Sequence, residues 1–417
     1  MAVRTRTEGD VVYVEDPRDG WLEVKYGLPP EVKFCRSCVL SNQRATPSII
    51  IQDQRNSKKT TIPFADGLCQ ACSVVQKKDD TDWEERERKL IALLDKYRSR
   101  NGSHDCLVPG SGGKDSVYQA HILKTKYGMN PLTVTWAPHL YTDVGWRNFT
   151  NWIHLGGFDN LLMTPDGQIH RKLTELAYRN LLHPFQPFIF GQRHFPMRIA
   201  RRFGLKLIFY GESHVEYGGR EGEEEISYMH PRYYTGDPHG DIFISGVPID
   251  ELQRYDINRE KLVEYLPLSE AECHDAGIEV QYLGYFLKWL PQQNYYYAVE
   301  HTAFEANSER TEGTYSKYNS IDDKLDGFHY WCAYIKFGIG RCTHEAGQEI
   351  RHGHITREEG VALVHKYDGE LPERYFPEVL EYMNMDREEF FEIADRFRSP
   401  HLWRKTDNGW QLRHVVQ

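Results

Sequence analysis

The stretch PGSGGKDSVYQAHIL, residues 109–123, packs glycines, two hydroxyls, a cation and a carboxylate into a few positions. It reads as a phosphate-binding loop running into a helix. The common nucleotide loop, G-x-x-x-x-G-K-[ST], does not fit. Its first glycine would fall on Val108, and Asp115 stands where Ser or Thr is required. The physics of an anion cradle is nevertheless present. Glycines allow positive φ and let backbone N–H groups face outward, and a helix N-terminus adds partial positive charge. Ser111, Gly112, Gly113, Lys114, Asp115 and Ser116 are the candidate nucleotide-binding residues. Lys114 offers a cation, and Asp115 is a candidate Mg²⁺ ligand, because that ion favours carboxylate and phosphate oxygens.

A second group of residues carries metal chemistry. Cys35-x-x-Cys38 and Cys69-x-x-Cys72 form two knuckles whose four thiolates can close a tetrahedral zinc site. The intervening segment is longer than in an ordinary zinc ribbon. The remaining cysteines, Cys106, Cys273, Cys332 and Cys342, are scattered singly and read as core residues. His352 and His354 have the look of a metal pair, but fall at a glycine turn before a helix cap.

The elements that must position these groups alternate. An acidic-started amphipathic helix is predicted over 82–100, from Trp83, Leu90, Ile91, Leu94 and Tyr97. Strands follow at Cys106–Val108, Leu132–Trp136, Asn160–Met163, Leu205–Tyr210 and Ile278–Leu283. Helices are predicted over 115–127, around Trp146–Leu155, over 168–182 and over Phe195–Phe203. This alternation argues for an α/β fold with a doubly wound parallel sheet, whose ligands sit at the carboxyl ends of the strands. Helical spacing returns over 320–336, 356–366, 373–383 and 386–397, with Thr356 and Glu359 set as a capping box. The expected organisation is an N-terminal cysteine module over 1–80, an ATP-binding α/β domain over 81–285 and a mainly helical region over 286–417. Residues 1–30 read as turn-rich and polar.

At SGGKDS the chain resembles the PP-loop ATP pyrophosphatases, which implies cleavage between the α and β phosphates of ATP. Candidate helpers at strand ends are Asp143 and Glu212, and Arg341 is a candidate phosphate contact. Further stretches resemble the N-acetyl sugar amidotransferases of surface-polysaccharide and flagellin-sugar biosynthesis. They are CxxCVL…GLCQAC, PFIFGQRHFPMRIARRFGLKLIFYGE, EGTYSKYNSIDDKLDGFHYWCAYIKFGIGR and EIRHGHITREEGVALVHKYDGELP, together spanning roughly residues 35 to 400. The resemblance implies that ATP with Mg²⁺ adenylates the acetamido oxygen of a nucleotide-activated sugar. Ammonia then displaces AMP and leaves an acetamidino group. It also implies a partner glutaminase and a cyclase-like subunit that deliver the ammonia. On this reading Lys114, Asp115, Glu212 and Arg341 are the catalytic candidates. The chain itself shows no cysteine on a glycine-flanked elbow and has Ala at position 2, so neither usual glutaminase nucleophile is present. The segment between the knuckles, residues 39–68, and an acid-rich insertion or lid at 220–245 depart from the pattern.

A PP-loop RNA thiolase is the competing reading. The net charge of −10 opposes it, because nucleic-acid binding needs a basic footprint. RIARRFGLK is one local basic patch. A scaffold with a degenerate loop is the third reading, opposed by the intact SGGKDS. The N-terminus lacks a signal-peptide apolar core, and no window approaches 18 apolar residues. A cytosolic enzyme is expected. The aromatic share of 13%, including 26 Tyr, reads as packing or a broad contact surface, most densely in QNYYYAVEHTAF.

Overall fold

The computed structural model describes residues 3–44, 50, 51, 54, 62–78, 80–213, 223 and 225–417. Parts of the inter-knuckle segment (45–49, 52, 53, 55–61) and of the acidic insertion (220–222 and 224) lie outside the described residues.

The chain opens with an antiparallel meander, β1 (Thr5–Glu8), β2 (Val11–Asp16) and β3 (Gly20–Val24). The second knuckle rides on a small hairpin, β4 (Phe64–Ala65) and β5 (Leu68–Cys69), and on α1 (Gln70–Lys78). Then α2 (Trp83–Tyr97) begins at Asp82, whose side chain accepts from the Glu85 N–H.

The central α/β unit runs β6 (Cys106–Pro109), α3 (Lys114–Thr125), β7 (Pro131–Trp136), α4 (Asp143–His154), β8 (Asn160–Met163), α5 (Gly167–Leu181), α6 (Gln186–Phe203) and β9 (Leu207–Tyr210). A minor hairpin, β10 (Phe243–Ile244) and β11 (Val247–Pro248), precedes α7 (Glu270–Asp275), β12 (Glu279–Tyr282) and α8 (Leu283–Phe286). The five long-range strands form one parallel sheet in the order β12-β9-β6-β7-β8. Successive side chains of a strand point to opposite faces, and the cores follow that rule. Leu107 and Ile208 join a core with α5 and α6, while Cys106, Val108, Leu207 and Phe209 join another with α2, α3 and α4. Helices therefore cover both faces, as the near-continuous apolar strands required. Strand order reverses between β6 and β9, so the loop after β6 lies at the switch point where such sheets bind ligands.

The acid-rich segment is not loosely attached where it is described. Met229, Tyr233, Tyr234, Ile242 and Ile244 are buried in the main core.

The remainder is α9 (Pro291–Thr302), α10 (Asp326–Phe337), α11 (Arg341–Arg351), α12 (Arg357–Tyr367), α13 (Phe376–Tyr382), α14 (Arg387–Arg396) and a final hairpin, β13 (Trp403–Thr406) and β14 (Gly409–Leu412). The capping box of α12 forms as expected: Thr356 N–H reaches Glu359 at 2.8 Å and Glu359 N–H reaches the Thr356 hydroxyl at 3.2 Å.

Four expectations are corrected. The helix ending at Phe203 starts at Gln186 rather than Phe195, because Pro187 occupies its first turn, where no N–H is needed. The helix expected over 320–336 starts only at Asp326, because the Asp323 carboxylate accepts from the Leu325 N–H at 3.0 Å and holds residues 320–325 as a loop. Residues 1–30 contain three strands, and residues 403–412 a hairpin, where no element was expected. These two ends share a core of Val14, Val24, Leu28, Leu402 and Trp403.

Candidate active site

The SGGKDS loop is built by close approach. Gly110 continues the ladder from its N–H to Val134 O at 2.9 Å. A Cβ at Gly110 would stand 2.3 Å from the Ser116 Cβ. Gly112 has φ +84°, and a Cβ there would meet the Phe149 Cα at 2.6 Å. Gly113 caps α3 without a side-chain hydrogen bond, so the first-turn N–H groups of α3 remain available for a ligand. The Ser116 hydroxyl donates to Gly113 O at 2.9 Å. Lys114 is buried and pairs with the Asp115 carboxylate. The other Asp115 oxygen accepts from Asn294 Nδ2 on α9 at 2.9 Å.

The loop forms one wall of a cavity of about 440 Å³. The facing wall is the 318–330 segment, which brings Asp322, Asp323, Asp326, His329 and Tyr330 to the same space. Burial raises the Asp322 carboxyl above its ordinary range, partly offset by the Ser111 hydroxyl. Asp323 is fully engaged: it accepts from the His139 N–H and from His139 Nδ1, each at 2.7 Å. Burial pushes Asp326 up to about 7, against the pull of the Arg341 guanidinium 4.0 Å away. Trp136, Pro138, Phe185, Phe188 and Ile189 supply an apolar side, suited to a flat ring or a sugar face.

All six loop candidates line this cavity, as does Glu212 at the end of β9. Arg341 does not. It is buried beneath the acidic wall, held by Glu345 at 3.1 Å and donating to Asn319 O, with its guanidinium 5.2 Å from the Tyr330 ring centre. It braces the wall from behind. Asp143 is exposed in the first turn of α4 and is not among the lining residues. Sequence reasoning missed Asn294, Asp322 and Asp326. The only signal for the two aspartates was the acid-rich KYNSIDDKLD inside an expected helix, and Asn294 lay within QNYYYAVEHTAF, read as packing or a contact surface.

Asp115 and Asp322 both line the cavity, and their hard carboxylate oxygens are the donors there that would suit Mg²⁺. Bound there, the ion would neutralise phosphate charge.

The four cysteines meet at a separate place. Their sulfurs lie within 4.8 Å of one another and are buried. Cys35 and Cys72 are 3.8 Å apart, and Cys38 and Cys69 3.7 Å. Ligands about 2.3 Å from a tetrahedral zinc stand about 3.8 Å from each other, so the cluster fits that ion. The N–H groups of Cys38 and Cys69 point at Cys35 Sγ at 3.5 and 3.3 Å, as a thiolate requires. Ile339 and Ile350 of the C-terminal region pack on the cluster. His354 pairs with Glu349 at 2.6 Å. Among the described residues, the four cysteines alone group as metal ligands.

Among the described residues, no helix is long and apolar enough to cross a membrane. No curated protein matches the chain. Among solved structures, NMN synthetase from Francisella tularensis is similar at 14% identity and a TM-score of 0.25, covering 55% of this chain and 90% of that one. Residues 312–416 match the C-terminal domain of WbpG-like LPS biosynthesis proteins. That stretch includes the acidic wall, Arg341 and the final hairpin. The match over residues 312–416 is in keeping with the sugar-amidotransferase resemblance of the sequence.

Proposed function

We propose that this protein is an ATP-dependent, AMP-forming amidotransferase acting on a nucleotide-activated N-acetyl sugar in surface-polysaccharide synthesis. The observation that carries the reading is the pairing of the SGGKDS loop with the Asp322–Asp326 wall across one cavity at the carboxyl edge of the sheet. The WbpG-like match over the residues that build that wall supports the LPS setting.

The acetamido oxygen attacks the α-phosphorus of ATP, forming an O–P bond and releasing pyrophosphate. Ammonia adds to the activated carbon, the C–O bond breaks, AMP departs and the carbon keeps the nitrogen as an acetamidino group. Lys114 and the first-turn amides of α3 offset the phosphate charge, and electrostatic placement supplies most of the catalysis. Glu212 and Asp326 are the carboxyl groups available to take a proton from the incoming ammonium. For Asp326, burial sets its affinity near the operating range such a base needs. A partner glutaminase with a cyclase-like subunit supplies the ammonia.

The test is a product assay with ATP, Mg²⁺, ammonium at alkaline pH and a panel of nucleotide-linked acetamido sugars. AMP together with a sugar whose mass changes by exchange of O for NH is the expected result. AMP only with added RNA and a sulfur donor would replace this reading with a thiolase. No cysteine is among the residues lining the cavity, which favours the first outcome.

A further inference from the structure

Arg193 lies on α6, next to Gln192, which lines the cavity. Its Nη1 is buried with no hydrogen-bond partner, and the residue has no ion pair among the described residues. The ionisable groups acting on it are three phenols, Tyr210, Tyr282 and Tyr233, and burial opposes its charge. Two of these have a fixed place. Tyr210 ends β9, Tyr282 ends β12, and the two are direct register partners. Both therefore stand at the carboxyl edge of the sheet, Tyr210 on the strand beside the SGGKDS strand and Tyr282 one strand further out. Tyr210 lines the cavity, and its hydroxyl is buried without a partner.

A buried guanidinium without a counter-charge is costly, because its hydration is lost and nothing replaces it. Arg has five N–H donors in a fixed fork that matches phosphate oxygens in pairs. Burial raises the Tyr210 phenol, so it stays protonated and can donate. Tyr233 already donates to the Glu223 carboxylate at 2.8 Å, so the donors left without an acceptor are Arg193 Nη1 and the Tyr210 hydroxyl. The triphosphate cradle is already provided by the loop after β6.

We propose that Arg193, with Tyr210, forms a second anion site at the ends of β9 and β12 that binds a phosphate group of the acceptor substrate. This rests on the reading of the acceptor as a nucleotide-activated sugar. It gives the cavity two phosphate sites, one for the activating nucleotide and one for the sugar's carrier, with the acetamido group between them.

The experiment is calorimetric titration of the full chain with uridine 5′-diphosphate as probe, and separately with a non-hydrolysable ATP analogue plus Mg²⁺. Arg193→Met is expected to weaken the diphosphate about tenfold or more while leaving the ATP analogue nearly unchanged, the size of a lost charged hydrogen bond. Tyr210→Phe, which keeps the ring and removes the donor, should weaken it by a smaller factor. Unchanged diphosphate binding in both variants overturns the site. A parallel loss of the ATP analogue assigns the anion to ATP and also overturns the proposal. Thermal midpoints separate a binding role from a structural one. An uncompensated charge is removed in Arg193→Met, so its ligand-free midpoint should equal or exceed that of the parent. A marked fall, or failure to fold, would make Arg193 structural. If diphosphate binding depends on Arg193 but no acetamido sugar yields AMP, the amidotransferase reading fails and the anion site stands.

Discussion

His139 and Asp323 meet at 2.7 Å, with both side chains sealed from solvent. His139 follows β7 by three residues, and Asp323 sits in the loop before α10. The contact therefore pins the acidic wall of the cavity to the carboxyl edge of the sheet. The same oxygen also takes the His139 backbone N–H, and the second oxygen takes that of Leu325. Asp323→Asn keeps the shape but loses charge-assisted acceptance in a buried setting. We expect a cost of about 2–3 kcal/mol in stability and a clear fall in AMP formation, since Asp322 and Asp326 ride on the same loop. Denaturant melts and AMP assays on one preparation would check this, and an unchanged rate would show that the wall need not be held.

Lys114→Ala and Asp115→Ala should each abolish AMP formation while leaving the circular dichroism spectrum and melting behaviour near those of the parent. Both residues face the cavity rather than the core beneath the loop. Asn294→Ala removes only the 2.9 Å bond that orients Asp115. Its expected loss is about tenfold in rate, the value of one hydrogen bond to a charged group. Full turnover in the first two variants would remove the loop from the mechanism.

The loop was legible because its chemistry is local: three glycines, a lysine and an aspartate at fixed spacing between a strand and a helix. The zinc cluster was legible for the same reason. The acidic wall was hidden. Ile321, Leu325 and Phe328 have helical spacing, and nothing local reveals that Asp323 is held by His139 from the loop after β7. The ends of the chain were hidden too. The strands over 5–24 are short and mostly half-exposed, and their apolar faces make sense only against Leu402 and Trp403. Arg341 was visible as a conspicuous cation after a glycine, but its place behind the wall depends on Glu345 and Asn319. Arg193 gave no signal, because a missing partner is a property of the folded chain alone.

Cys35→Ser should lower zinc from one equivalent toward none and destabilise the protein by several kcal/mol, because metal binding energy is folding energy in such knuckles. The loss should spread to the C-terminal region, where Ile339 and Ile350 pack on the cluster. Elemental analysis with a thermal melt decides it. A zinc-replete, equally stable variant would exclude a four-thiolate zinc site.

The last prediction concerns pH. Asp326 has a folded affinity raised to about 7 from an ordinary 3.8. Between those values the native state holds a proton that the unfolded chain has released. Stability from this group is thus fully present below about pH 4 and is lost as pH rises through about 7. His329, whose affinity burial lowers to about 4, acts oppositely: its contribution is lost as pH falls below the ordinary histidine range. The wild-type profile mixes the two, so the informative quantity is the difference from Asp326→Asn. That difference should favour the wild type least at pH 8 and grow as pH falls toward 5, by a few kcal/mol at most. Melts of both proteins across this range measure it. A flat difference would mean that Asp326 does not titrate between pH 5 and 8, and would remove it as the proton acceptor assigned to it.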